Sequence, residues 1–275
     1  MASTSICVCQ LDHIDQIIHR EVAQCHPRYW NEDHITYSWL KKLISEWPSI
    51  NLAPHPTTSV HWDAYKMDGN LEQDNGDIAF LIDINFDNGN RLKGVGFLEA
   101  KRIYPTDRFE ALKWAQLRLL SSNSSNHQLL LYDHNPISTQ YSLGACLPCD
   151  YCHYCEDHRP YCCEPSELSS AIVMPTLHAI AYEEKGRKLE SIGHRLSEQI
   201  VLRYFRGLDL DFDTDLVKRV LAGAPGGAKF LAVATIHIGD EAKPSDTGGT
   251  QERKPTKPDE ASGYRSLDRD IRRDG

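Results

Sequence analysis

The chain has 275 residues, 40% of them hydrophobic and 25% charged, which fits one large or two small globular domains and excludes a mainly disordered or fibrous chain. Its 30 Lys+Arg against 39 Asp+Glu leave a net charge of −9, so nucleic acid is not held by bulk charge, while a local basic groove or metal-assisted phosphate chemistry stays open. No run nears the ~18–20 apolar residues of a membrane span, and the first residues have no basic region or long apolar run. A cytoplasmic protein without membrane contact is therefore expected. In chain order, residues 32–47 have helical spacing, with Ile35, Trp39 and Leu43 on one face and Glu32 at the N-terminal end. Residues 59–67 read as a strand. Residues 77–86 alternate cleanly, Asp87-Asn88-Gly89-Asn90 is a turn, and 95–103 is a second strand, so 77–103 predicts a hairpin. Asp107 and Glu110 have the spacing of a capping box, which predicts a helix over about 108–120. Residues 127–134 and 171–181 are expected as strands, 187–206 as a helix and 230–238 as a last strand. From about 240 the chain is rich in Pro, Gly and charge, and a disordered tail is expected there.

The hairpin carries the chemistry. Glu99 and Lys101 are two apart on a strand, so they share a face, and that face also carries apolar Val95, Phe97 and Ile103. Asp77 opens the partner strand, where its carboxylate can converge with Glu99. Two close carboxylates repel unless a cation joins them, and hard oxygen ligands suit Mg²⁺ or Mn²⁺. A lysine beside them can orient a water or stabilise charge developing on a phosphate. Gln116 falls inside the apolar stripe of the following helix, and a polar site beneath that helix would satisfy its amide.

Asp77, then Glu99-Ala100-Lys101 on the next strand, a helix with Gln116 and the apolar strand 127–132 resemble the core of the PD-(D/E)xK nuclease superfamily. The likeness covers about residues 30–135, and Gly76 stands where the motif has Pro. It implies an α/β (or α+β) fold with a mixed central sheet flanked by helices, a restriction-endonuclease-like core. It implies that Asp77 and Glu99 hold Mg²⁺, with the Ala100 carbonyl as a third ligand and Lys101 positioning the attacking water. Glu72 and Glu32 are further candidate metal-binding acids, Glu32 because members often place one on the first helix. The implied activity is Mg²⁺-dependent hydrolysis of phosphodiesters, DNA first, with a protein partner or a homo-oligomer supplying affinity or activation. Antiviral defence is a context by analogy only.

Residues 146–163 read CLPCDYCHYCEDHRPYCC. Cys146, Cys149, Cys152 and Cys155 follow C-x₂-C spacing, with Cys162 and Cys163 beyond, and such pairs offer thiolates to a tetrahedral ion. In a reducing compartment this favours Zn²⁺ over disulfides, with an iron–sulfur cluster as the rival and the four ligating thiolates undetermined. The expected organisation is residues 1–145 as the first part of the core, 146–165 as a Cys-rich insertion, 166–239 as the rest of the core and 240–275 as the tail. The alternatives to an enzyme are a non-catalytic zinc-containing interaction module on the same scaffold, and an iron–sulfur protein.

Overall fold

The computed structural model describes residues 8–51, 58–68, 75–138, 168–223, 227–238 and 256–268. Two helices lead, α1 (Val8–Cys25) and α2 (Glu32–Glu46). Strands β1 (Ser49–Asn51), β2 (Thr58–Met67), β3 (Ile78–Phe86) and β4 (Arg91–Arg102) follow. Helix α3 (Trp114–Asn123) leads to β5 (Gln128–Ser138), then β6 (Leu168–Pro175) and α4 (Thr176–Tyr182). After β7 (His194–Arg195) come α5 (Leu196–Glu198), α6 (Thr214–Ala222), β8 (Phe230–Ile238) and β9 (Tyr264–Ser266).

The strands form one mixed sheet in the order β1-β2-β8-β3-β4-β5-β6-β7, with β9 beside β2. β8 runs parallel to β3 and β5 parallel to β4, while β3–β4 is the antiparallel hairpin that alternation predicted. Side chains of period 2 divide the core between the two faces. One face carries Ile78, Phe80, Ile82, Leu98 and Ala100 against Ile14, Ile18, Ile35 and Trp39 of α1 and α2. The other carries two separate clusters. Ala79, Leu81, Val95 and Phe97 pack under α6, and Ile103, Leu129 and Leu131 pack under Leu117 and Leu120 of α3. Glu99 and Lys101 occupy the gap between those two clusters. Among the described residues no helix is long and apolar enough to cross a membrane.

Four local expectations change. The helix expected over 108–120 starts only at Trp114. The segment before it pairs with a loop instead: Phe109 N–H donates to the Lys185 carbonyl at 2.7 Å, and Phe109 and Leu112 are buried in the α3 cluster. Asp107 is no helix cap; it has φ 57° and its carboxylate accepts from the Arg187 guanidinium at 3.1 Å. The strand expected over 171–181 ends at Pro175, and α4 continues from it.

The helix expected over 187–206 is broken into a 3₁₀ turn (Arg187–Ile192), the short β7 and a series of tight and wide turns. The break lets Gly193 pass so close to β6 that a Cβ there would lie 2.4 Å from Ile172 Cγ2. It also buries the Arg195 guanidinium against Asp15 at 3.4 Å. Finally, residues 256–268, part of the tail expected to be disordered, return to the sheet. β9 pairs with β2, Leu267 is fully buried, and Tyr264 Oη donates to the Ala228 carbonyl at 2.8 Å.

Candidate functional site: an acid pair with a lysine at the sheet end

Strand pairing sets the site. The β3–β4 register joins Ile78 to Leu98, and one residue further it brings Asp77 opposite Glu99. Asp77 N–H donates to the Leu98 carbonyl at 3.0 Å, and the Asp77 Oδ2 atom accepts from Ala100 N–H at 2.9 Å. The Asp77 carboxylate thus ends the ladder in place of another backbone carbonyl. Alternation along the strand turns the Ala100 carbonyl to the same side as its N–H, toward the acids.

Glu99 is only 3% exposed and Lys101 9%, so a charge pair lies inside what is otherwise apolar surface. Lys101 Nζ donates to Glu99 Oε1, and Gln116 Nε2 donates to the same oxygen at 2.9 Å. Gln116 itself is exposed rather than buried in the apolar stripe, because the helix starts later and points Leu117 and Leu120 inward; its amide reaches down to the acid from the rim. Glu32 reaches the site from α2. Its Oε1 accepts from Arg102 N–H at 3.3 Å and its Oε2 lies 3.7 Å from Arg102 Nε.

The electrostatics follow from burial. Desolvation, with the Glu99 charge opposite, raises the Asp77 carboxyl from 3.8 to about 7; Lys101 and the Ala100 N–H oppose the rise. Burial works against the Lys101 ammonium, but Glu99 and Asp77 outweigh it and its pKa is raised. Lys101 is therefore a fixed cation and hydrogen-bond donor at neutral pH, not a base.

Sequence reasoning missed His127. It is 2% exposed, its Nδ1 bonds Thr176 Oγ1 at 2.8 Å, and burial lowers its pKa to about 4, so the ring is neutral. It backs the acids through Gly76: a Cβ at Gly76 would lie 3.0 Å from His127 Nε2 and 3.4 Å from Glu99 Oε2. Only a glycine, at φ 97°, leaves that space open. No pattern around the start of an apolar strand could have marked this histidine.

The buried Glu99 carboxylate, the half-buried Asp77 carboxylate and a backbone carbonyl on one spot make a hard oxygen donor set, and burial, with the Glu99 charge opposite, raises the Asp77 carboxyl. Among the described residues no group of three or more His, Cys, Asp or Glu side chains is placed to hold a metal ion, so the carbonyl would be needed as the third protein ligand. Glu72 and all of Cys146, Cys149, Cys152, Cys155, Cys162 and Cys163 lie outside the described residues. No family model, no curated protein and no solved structure matches the chain.

Proposed function

We propose that the protein is a metal-dependent phosphodiesterase of the PD-(D/E)xK type acting on nucleic acid. The observation that carries the reading is the convergence of Asp77, Glu99 and Lys101 at one sheet end, with Asp77 raised by burial and then by its acidic neighbour. Asp77, Glu99 and the Ala100 carbonyl would hold Mg²⁺ or Mn²⁺. A bound cation of this kind supplies Lewis-acid polarisation of a phosphoryl oxygen and lowers the pKa of a water. Lys101, kept protonated, donates toward the attacking water and the charge growing on the phosphate. Gln116 and Lys101 both donate to Glu99 Oε1 and so fix the Glu99 rotamer, which would leave Oε2 as the oxygen for a cation. Glu32 holds the Arg102 amide and so keeps the end of β4 in place beside Lys101. DNA is the first substrate to test, and the −9 charge of the chain favours a protein partner or a second copy that adds affinity.

The Cys-rich segment would bind Zn²⁺ in addition, since soft thiolates select Zn²⁺ where the acid pair selects Mg²⁺. Elemental analysis of the purified protein tests this: iron with acid-labile sulfide in place of zinc would replace that reading.

The test of the main reading is digestion of plasmid and linear DNA with Mg²⁺, Mn²⁺, Ca²⁺ or EDTA. Cleavage is expected with the first two alone, and Glu99→Gln and Lys101→Met should each abolish it while circular dichroism stays unchanged. Full activity in EDTA, or wild-type rates in both variants, would reject the reading.

A further inference from the structure

The acid pair has a neighbour at the same end of the sheet. A cleft of about 370 Å³ is lined by Asn31, Asp33, His34 and Tyr37 from the start of α2 and by Lys66 and Arg265 from β2 and β9. Strand pairing places it: Ile78 pairs with Phe230, Phe230 with Lys66, and Lys66 with Arg265, so the two cations continue the row of Ile78, one residue along from Asp77 and on the α1–α2 face of the sheet. Lys66 is two strand spacings, about 10 Å, from Asp77's strand. Asp33 bridges the two places, because it lines the cleft and its charge also bears on Asp77.

The charges in the cleft favour an anion. Asp33 is ion-paired with Lys229, and Arg265 lies 3.9 Å from Asp68 at the outer edge. Lys66 sits over both Phe230 and Tyr37, 5.5 and 5.6 Å from their ring centroids, and Lys41 lies 5.7 Å from the Tyr37 ring. Beside the cleft stands a stack. Tyr29 is 47% exposed, its ring lies on His34 at 4.8 Å and 23°, and the Arg28 guanidinium lies 5.4 Å from its centroid.

We infer that this cleft and stack bind single-stranded nucleic acid, an unpaired base resting on Tyr29 and His34 while flanking phosphates lie along Lys66 and Arg265. Bases inside a duplex have both faces covered by their neighbours, so an exposed tyrosine stacked on a half-buried histidine suits an unpaired or terminal base. Stacking needs no base-edge contacts, so binding should tolerate any sequence. The depth of the acid pair fits the same ligand, since Glu99 and Lys101 are almost covered and a single strand enters where a duplex is stopped at the rim. The inference deepens the phosphodiesterase reading and relies on it for the chemistry, but not for the binding.

The test is fluorescence anisotropy in EDTA with labelled oligothymidylate, labelled oligouridylate and a duplex of the same length. At least one single strand should bind about tenfold or more tighter than the duplex. Thymidylate alone binding tightly would assign DNA, and uridylate binding as well would assign a sugar-blind site. Tyr29→Ala should weaken single-strand binding about tenfold, and Tyr29→Trp should restore it. Lys66→Gln with Arg265→Gln should lower affinity and reduce its dependence on salt. Equal affinity for the duplex, or wild-type binding by both Tyr29→Ala and His34→Ala, would overturn the inference. Single-strand binding without cleavage in Mg²⁺ or Mn²⁺ would remove the hydrolase reading and leave this one standing; cleavage of duplex without single-strand preference would do the reverse.

Discussion

A carboxyl whose pKa is raised by its surroundings makes the folded protein bind a proton that the unfolded chain has released. Asp77 is such a group, at about 7 in the fold against 3.8 outside it. Below about pH 4 both states are protonated and nothing is lost. Between about 4 and 7 the unfolded state ionises first, so stability falls as pH rises. Asp77→Asn should therefore stabilise the metal-free protein at pH 8 and have little effect at pH 4, since the amide oxygen can still accept from Ala100 N–H. Glu190 provides an internal control. It is buried beside Asp133, and burial raises its carboxyl to about 8. Glu190→Gln should also stabilise at high pH. Only the Asp77 penalty should be cancelled by Mg²⁺ or Mn²⁺, because only Asp77 shares a place with Glu99 and the Ala100 carbonyl. Thermal melts of both variants at the two pH values, with and without metal, decide it; equal metal effects on both would remove Asp77 as a ligand.

At the scale of elements, the hairpin was readable in the sequence because two signals agree there: strict alternation and an Asn-Gly turn. The same alternation put Glu99 and Lys101 on one face and Asp77 across from them, so the three central residues of the site needed no tertiary information. Other parts failed for physical reasons. In α1 the stripe Ile14, Ile17, Ile18 and Val22 is interrupted by Asp12 and Asp15, which face inward because Arg195 meets them from a distant turn. β9 is three residues in a polar run, and what fixes it is non-local: Leu267 N–H donates to the Ala64 carbonyl at 2.9 Å, and Thr256 donates to buried Asp83. His127 and the special role of Gly76 are contacts between elements and leave no periodic trace. Gly76 and Gly89 make a matched pair of tests. Both have positive φ, 97° and 86°, but a Cβ at Gly89 meets nothing within 4 Å while one at Gly76 meets His127, the Leu98 carbonyl and Glu99. Gly89→Ala should cost only the backbone strain, about 1 kcal/mol. Gly76→Ala should cost more and also weaken metal binding by displacing Glu99. Denaturant melts with metal titration by calorimetry check both; equal costs with unchanged metal affinity would mean that the space at Gly76 has no role at the acid pair.

For the molecule as a whole, the order of strands decides what can be removed. β8 is the penultimate described strand in sequence but lies between β2 and β3 in the sheet. Its residues from Phe230 to Ile236 are buried on both faces, joining the α1–α2 core to the α6 core. It also touches the acid pair, since Phe230 N–H donates to the Asp77 carbonyl at 2.9 Å. Without β8 the edges of β2 and β3 would face each other across an unfilled gap, with bare N–H and C=O groups on both. A chain ending at Gly223 should therefore fail to melt cooperatively and should aggregate. The segment 256–268 is different, because it adds a short strand and a few anchors beside β2 to a sheet whose order is already complete. Its largest single loss is Leu267, fully buried, and replacing such a leucine by alanine costs about 2–5 kcal/mol. A chain ending at Ile238 should keep a cooperative melt, with a midpoint lower by on the order of 10 °C. It also loses Arg265, so single-strand affinity should fall while metal binding at Asp77 and Glu99 survives. Calorimetry on the two truncations distinguishes a central strand from an outer strap, and a chain ending at Gly223 that melts like the longer one would show that the sheet does not depend on β8.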